Sequence, residues 1–570
     1  MSDTIDCIRP IGTRTEVSTA HKVHRDKSGF RPLFDSLIGL AVAVTLFRTF
    51  AIEGYIISTG SMAPNLVGYH KRIQCPTCRF LFAFGVSHEK MVLEPEFVTC
   101  PNCGHARINV ASIPPSVGDQ LLVHKHAFTF KSPRRWEVVV FQNPNKPTQA
   151  YVKRLVGLPG ERMQIIKGDI YVNGEIQRKN LSQQRGIRVL VYDDDYCPPE
   201  TESWNSRWIA QPGWHTSGSG FKSVDLDREE SASEQATTWV TYRHWIRSGG
   251  LHTTSVPLDR WPDGVEIPNA ILAPLCYDPV ARRLVCIGTL PSVLRDRLLS
   301  RTNDLLLTRA IWQIDEQSHL SPITDLYGYN RPLRSSAPVA IRDVMLTAQA
   351  TIHGGNGQFV LQITDGDRVF SCVFDVGAGT VSLKEEDVVL AICAARLPPQ
   401  MLSKSVLVEM STFDRQIIVA VEGETVFKIP IQLPKNPYDN LGEAVRERSA
   451  QGATDNGQLT LRRPVRFGTR GLNVSVDSLK LFRDVYYTAG GGRNAIDEPF
   501  SLRDDEYYFL GDNSPVSLDS RSWPNGMVSS GMFLGKPLVV HLPSRPGKIR
   551  IGNYVSYIRI PDFSRIHYIR

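Results

Sequence analysis

The feature that most constrains this chain is the apolar run from Leu33 to Ile57, LFDSLIGLAVAVTLFRTFAIEGYII. A membrane-spanning helix needs about 20 mostly apolar residues. The run reaches that length with Asp35, Arg48 and Glu53 towards its ends, where charged side chains can reach the interface. A buried core helix is the alternative. The flanks favour a span: Arg9, Arg14, Lys22, Arg25, Lys27 and Arg31 precede it, against Asp3, Asp6, Glu16 and Asp26. Residues 33–57 are therefore read as a single transmembrane helix and 1–32 as a basic cytoplasmic tail, with the bulk of the chain across the membrane. A cleaved leader fits less well, because the basic region is long and no small-x-small site follows the apolar core.

With 570 residues the chain exceeds one ordinary core, which predicts two to four domains. Its net charge of +7 is small for that length, and the Lys and Arg residues are scattered, which argues against a nucleic-acid partner. Four of the ten cysteines form a pattern, Cys75-Pro-Thr-Cys78 and Cys100-Pro-Asn-Cys103, the second followed by Gly104-His105. Two C-x-x-C pairs about 20 residues apart have the spacing of a zinc ribbon, in which each pair sits on a tight turn aiming two thiolates at one metal. Two disulfides or one redox pair are the alternatives. Cys7, Cys197, Cys276, Cys286, Cys372 and Cys393 have no diagnostic spacing and are read as free thiols.

Past the apolar run the chain is mainly β. The segment 58–185 carries β-rich pieces such as Glu137–Phe141 and Tyr151–Val156, punctuated by Leu158-Pro-Gly160 and by the hairpin signal Asn173-Gly174. It is interrupted at 68–110 by the Cys-rich insertion. Residues 186–338 are irregular, with Trp204, Trp208, Trp214, Trp239, Trp245 and Trp261 as an aromatic core. Residues 339–487 hold evenly spaced short strands and the turn Glu422-Gly423, which predicts a two-sheet sandwich. Within it, Asp414–Gly423 resembles concanavalin-like modules. Residues 500–570 form a last β-rich part and a C-terminal tail.

Four short boxes occur in order: Ser61-Met-Ala-Pro64, Gly118-Asp-Gln-Leu-Leu-Val-His-Lys125, Val152-Lys-Arg-Leu-Val-Gly-Leu-Pro-Gly160, and Gly511-Asp-Asn513 leading to Asp519-Ser-Arg521. In these boxes the chain resembles the bacterial type I signal peptidases, membrane-bound serine proteases that cut leader peptides from exported proteins. The resemblance covers about 33–174 and 506–541. It implies a β-rich catalytic body in two parts, 58–185 and 500–570, with no cofactor for the chemistry. It also implies an active site on the outer face of the inner membrane. Ser61 matches the nucleophile and Lys153 the general base. Thr59, with the Ser61 N–H, matches the oxyanion hole, and Ser517 matches the hydroxyl that orients the lysine. Asp512, Asp519, Arg521 and Arg154 match supporting ion pairs.

The chemistry is consistent with these residue types. A serine hydroxyl needs a base, and a lysine serves only when neutral, so its pKa must fall several units from about 10.4. Burial in an apolar strand does this. The implied substrates are preproteins with small residues at the −3 and −1 positions, held in shallow apolar pockets. Met62 and the strand near Val138–Val140 are the suspected lining. Three departures from the family pattern stand out: Ser514-Pro515-Val516 inside the last box, the Cys-rich insertion, and more than 300 residues between Gly174 and Gly511. Three rivals differ in kind. A self-cleaving repressor shares the Ser/Lys dyad but needs a DNA-binding domain, for which no signal exists. A membrane-tethered binding protein would use the sandwich as its ligand module over an inactive peptidase body. A disulfide oxidoreductase would lack its βαβ context.

Overall fold

The computed structural model describes residues 31–86, 96–105, 107–198, 206–223, 236–244, 253–265, 275–287, 290–330, 338–393, 404–431, 459–489, 492–541, 543–551 and 554–569. Most of the basic tail, Cys7, Trp204 and Trp245 lie outside them. The chain divides into two compact units, Met1–Ile52 and Glu53–Arg570.

Among its described residues the first unit contains one helix, Arg31–Phe50, with Leu33, Phe34, Leu37, Ile38, Leu40, Val42 and Val44 exposed. Among the described residues no helix is long and apolar enough to cross a membrane. The helix expected over 33–57 is cut short because Ile52–Ile56 is a strand. Its sequence, Ile-Glu-Gly-Tyr-Ile, is rich in β-formers around a glycine, and the Gln120–His124 strand gives it a hydrogen-bonding edge.

An eight-stranded sheet carries the site. Its order is Ile52–Ile56, Gln120–His124, Phe533–Val540, Val138–Asn143, Lys146–Gly157, Glu506–Leu510, Val528–Ser529, with His567–Tyr568 added to Phe533–Val540. Val138, Val139, Val140 and Phe141 are all buried, as a central strand covered on both faces requires. Lys153 lies opposite Val139 and Arg154 opposite Val138. On the other side Leu510 lies opposite Arg154, so one strand pair brings Gly511 beside the lysine from a distant part of the chain. At the expected hairpin, Asn173 and Gly174 have φ of 52° and 85°, the left-handed pair of a type I′ turn.

The largest sheet is built on two long antiparallel strands, Val344–Thr364 and Val465–Arg483. Strands Val189–Asp193, Trp208–Ala210, Gly220–Ser223 and Thr238–Tyr242 join the same sheet. Trp208 and Trp214 therefore pack on Phe467, and the tryptophans on either side of residue 210 serve the core of the β-rich block that follows. A smaller body joins strands Thr253–Pro257, Leu275–Asp278 and Arg283–Ile287 to helices Ser292–Ser300 and Leu305–His319, around its own apolar cluster.

Candidate active site

Ser61 lies in a turn between the strands Ile52–Ile56 and His70–Gln74. Gly60 O accepts from Ala63 N at 3.0 Å and Met62 O from Leu66 N at 3.0 Å. Met62 and Leu66 are driven into the apolar cluster that holds Ile57 and Val138, which anchors the turn on the sheet. Ser61 itself is only 9% exposed.

Lys153 reaches the same point from its strand. Its Nζ lies 2.5 Å from Ser61 Oγ and the side chain is buried. Burial brings the ammonium down to about 8, against an upward pull from Asp519 and a downward push from Arg521. Desolvation penalises the charged amine, so the neutral base becomes the major form only above about pH 8. Thr59 Oγ1 lies 3.4 Å from Ser61 Oγ, on the exposed side of the turn.

Two charged pairs brace the floor. Arg154 holds Asp512 with Nε to Oδ1 at 2.7 Å and Nη2 to Oδ2 at 2.6 Å. Arg521 holds Asp519 in the same two-pronged way, at 2.8 and 2.7 Å. Asp519 Oδ2 also accepts from Gly511 N at 3.0 Å. Every one of these side chains is buried, and none touches Ser61 Oγ directly. Forked, fully bonded pairs hold shape.

Ser517 makes no bond to the lysine in this structure: its buried Oγ has no hydrogen-bond partner. Pro515 builds a 3-10 turn over Ser514–Val516, and Arg521 grips Ser514 through Oγ and O. The turn delivers Ser517 over Gly511, where an added Cβ would fall 2.2 Å from Ser517 Oγ and 2.5 Å from Ser61 O. Glycine at 511 is thus a requirement of close approach. Met62 and Val138 line a cavity of about 460 Å³ together with Leu66, Arg154, Arg188, Asp512 and Tyr568.

Asn513 was not singled out from the sequence, although it stands in the last box. Its backbone N–H donates to Ser61 O at 3.0 Å and its Nδ2 to Gly60 O at 2.8 Å. Tyr327, whose hydroxyl donates to Asp512 O at 2.6 Å, and Asn330 were also missed. They come from the segment just before the long strand Val344–Thr364, far from every box.

The four cysteines converge. All are buried and their sulfurs lie within 4.8 Å of one another, with Cys75–Cys103 and Cys78–Cys100 each at 3.7 Å. Thiolates about 2.3 Å from a tetrahedral zinc ion would stand roughly 3.7 Å apart; a disulfide needs about 2.05 Å. Arg79 at φ 63° and Gly104 at φ 73° close the two knuckles. The cluster has the donor set and spacing of a structural zinc site.

Residues 97–224 match the family model described as signal peptidase, peptidase S26. The matched stretch contains Lys153 and begins after Ser61, which follows the Ile52–Ile56 strand of the eight-stranded sheet. Among curated relatives, a signal peptidase I of Leptolyngbya laminosa is 37% identical over 75 residues, 12% of this chain and 36% of that protein. One of Rickettsia akari is 29% identical over 202 residues, 33% of this chain and 75% of that protein. The chain thus spans about a third of the first relative and three quarters of the second. Among solved structures, the galectin LEC-6 of Caenorhabditis elegans aligns with 28% of this chain and 90% of its own at 12% identity, with a TM-score of 0.17.

Proposed function

We propose that the peptidase body is a serine endopeptidase of the type I signal peptidase class, removing leader peptides from exported preproteins. The observation that carries this reading is the 2.5 Å approach of a buried Lys153 Nζ to Ser61 Oγ. In the mechanism, neutral Lys153 takes the Ser61 proton as Oγ attacks the scissile carbonyl. The oxyanion is held by the Ser61 N–H and the Thr59 hydroxyl. Lys153 then gives its proton to the leaving amine, and the acyl-enzyme forms. A water, deprotonated by the same amine, attacks the ester and restores Ser61. Ser517, with its buried hydroxyl unsatisfied, is the group left to orient the amine as its charge develops. Small residues at −3 and −1 would face apolar positions such as Met62 and Val138.

Two further parts belong to the same reading. Zinc is held by Cys75, Cys78, Cys100 and Cys103 as a structural ion, outside the chemistry. The exposed apolar side chains of Arg31–Phe50 attach the protein to the bacterial inner membrane. Membrane attachment is tested by carbonate extraction of full-length protein; release into the soluble fraction would defeat it.

The decisive experiment is cleavage of a model preprotein by full-length protein and by Ser61→Ala and Lys153→Ala. Both variants are expected to leave the leader uncut. Processing at the unaltered rate by either would refute the dyad.

A further inference from the structure

The Ser61 turn is held by a strap that no peptidase box contains. Segment Asp325–Asn330 runs beneath it, with Tyr327 on Asp512 O and the Tyr329 hydroxyl donating to Tyr69 O at 3.1 Å. Tyr329 also fills the space over Gly60, where an added Cβ would lie 2.2 Å from its ring. On the other side Gly328 rests on Pro101 of the second cysteine knuckle, 2.6 Å from an added Cβ.

The strap ends in a reciprocal amide pair. Asn330 Nδ2 donates to Asn513 Oδ1 and Asn513 Nδ2 donates to Asn330 Oδ1, both at 2.7 Å. Asn513 Nδ2 gives its second hydrogen to Gly60 O. A primary amide has two faces that differ only in which atom is oxygen. Gly60 O can only accept, so it fixes Asn513 with NH2 towards it, and Asn330 pairs with the remaining amide edge and holds that side chain in place. Reversed, it would set oxygen against oxygen.

Gly60 C=O and Ser61 N–H belong to one planar peptide unit. Whatever fixes the carbonyl therefore aims the N–H. We propose that Asn330 is a positioning residue for catalysis: through Asn513 and Gly60 O it orients the Ser61 N–H towards the oxyanion. The inference rests on Ser61 being the nucleophile. It gives the sequence inserted between the two halves of the peptidase body a part in the reaction.

The test uses full-length protein and a model preprotein. Asn330→Ala is expected to lower kcat about ten-fold, as partial loss of an oxyanion donor would. KM should stay within about two-fold and the pH inflection set by Lys153 should not move. In an Asn513→Ala background the further effect of Asn330→Ala should vanish, because both act on the same carbonyl. Asn330→Asp keeps the shape but sets a carboxylate against Asn513 Oδ1, and should cost at least as much. Gly328→Ala, which displaces the strap without altering its amide, should lower kcat in the same way. Thermal melting separates these effects from unfolding. An unaltered kcat in folded Asn330→Ala and Asn330→Asp, or a loss that persists in full beside Asn513→Ala, overturns the proposal alone. Activity in Ser61→Ala overturns it together with the reading beneath it.

Discussion

Lys153 bears the conflict between stability and chemistry most directly. Its amine, near 8 when folded, is near 10.4 in an unfolded chain. Below pH 8 both states carry the charge, and the folded state bears the burial cost, about 3 kcal/mol for a shift of that size. Between pH 8 and about 10.4 the unfolded chain binds the extra proton, so stability climbs with pH. The same step frees the base. Activity is expected to rise from the acid side with an inflection near pH 8, measured as kcat/KM across pH. Lys153→Met should abolish cleavage yet melt higher at pH 7, by up to about 3 kcal/mol, a gain that disappears above pH 10.4. Gly511 has no such compensation. Gly511→Ala pushes on Ser61 O and Ser517 Oγ together, and a displacement of about 1 Å at a nucleophile costs on the order of a hundred-fold in rate. The predicted result is a folded protein with at least that loss in kcat.

Among the elements, the cysteine ribbon has the donor set for a stabilising metal ion. Its strands are short, His70–Gln74 with Leu81–Gly85 and Phe97–Val98 with Ile108–Asn109, too little to hold themselves. Metal content of the purified protein should be close to one zinc per chain, and Cys78→Ser should remove it and lower the first thermal transition. Stoichiometric absence of zinc with oxidised thiols would point to disulfides. The ribbon is docked by Asn102, whose side chain accepts from Asp193 N at 2.7 Å and donates to Asp193 O at 3.0 Å and Tyr196 O at 3.1 Å. Asn102→Ala would strand those buried groups, at a cost of about 1–3 kcal/mol per unpaired partner, read by denaturant unfolding.

At the scale of the molecule, the segment after the Asn173-Gly174 hairpin and the large sheet are joined by buried charge. Lys179 Nζ bonds Asp414 and lies 2.9 Å from Asp484, with the Trp136 ring centroid 4.4 Å away. All three charged side chains are nearly inaccessible. Removing the one cation leaves two carboxylates without it, and breaking a buried pair costs about 3–5 kcal/mol. Lys179→Ala is therefore expected to lower the main unfolding transition, while Lys480→Ala, a half-exposed pairing with Asp193 and Asp195, should shift it far less.

Local patterns determined much of this protein without any coordinates. Spacing alone brought out the cysteine cluster, because a knuckle is made within four residues. The boxes picked out Ser61 and Lys153, and the turn residues marked the Asn173-Gly174 hairpin, whose left-handed φ is a property of those residue types. Long-range pairing decided the rest. Ile52–Ile56 became a strand because an edge was waiting for it. Trp208 and Trp214 found their core partner Phe467 more than 250 residues away. Ser517 lost its expected bond to the local geometry of Pro515. Asn330 reached Asn513 across 183 residues, and no periodicity or motif encodes a contact of that length. The apolar run that opened the sequence illustrates both sides: its hydrophobicity was legible, but where its helix stops was set by strand pairing beyond it.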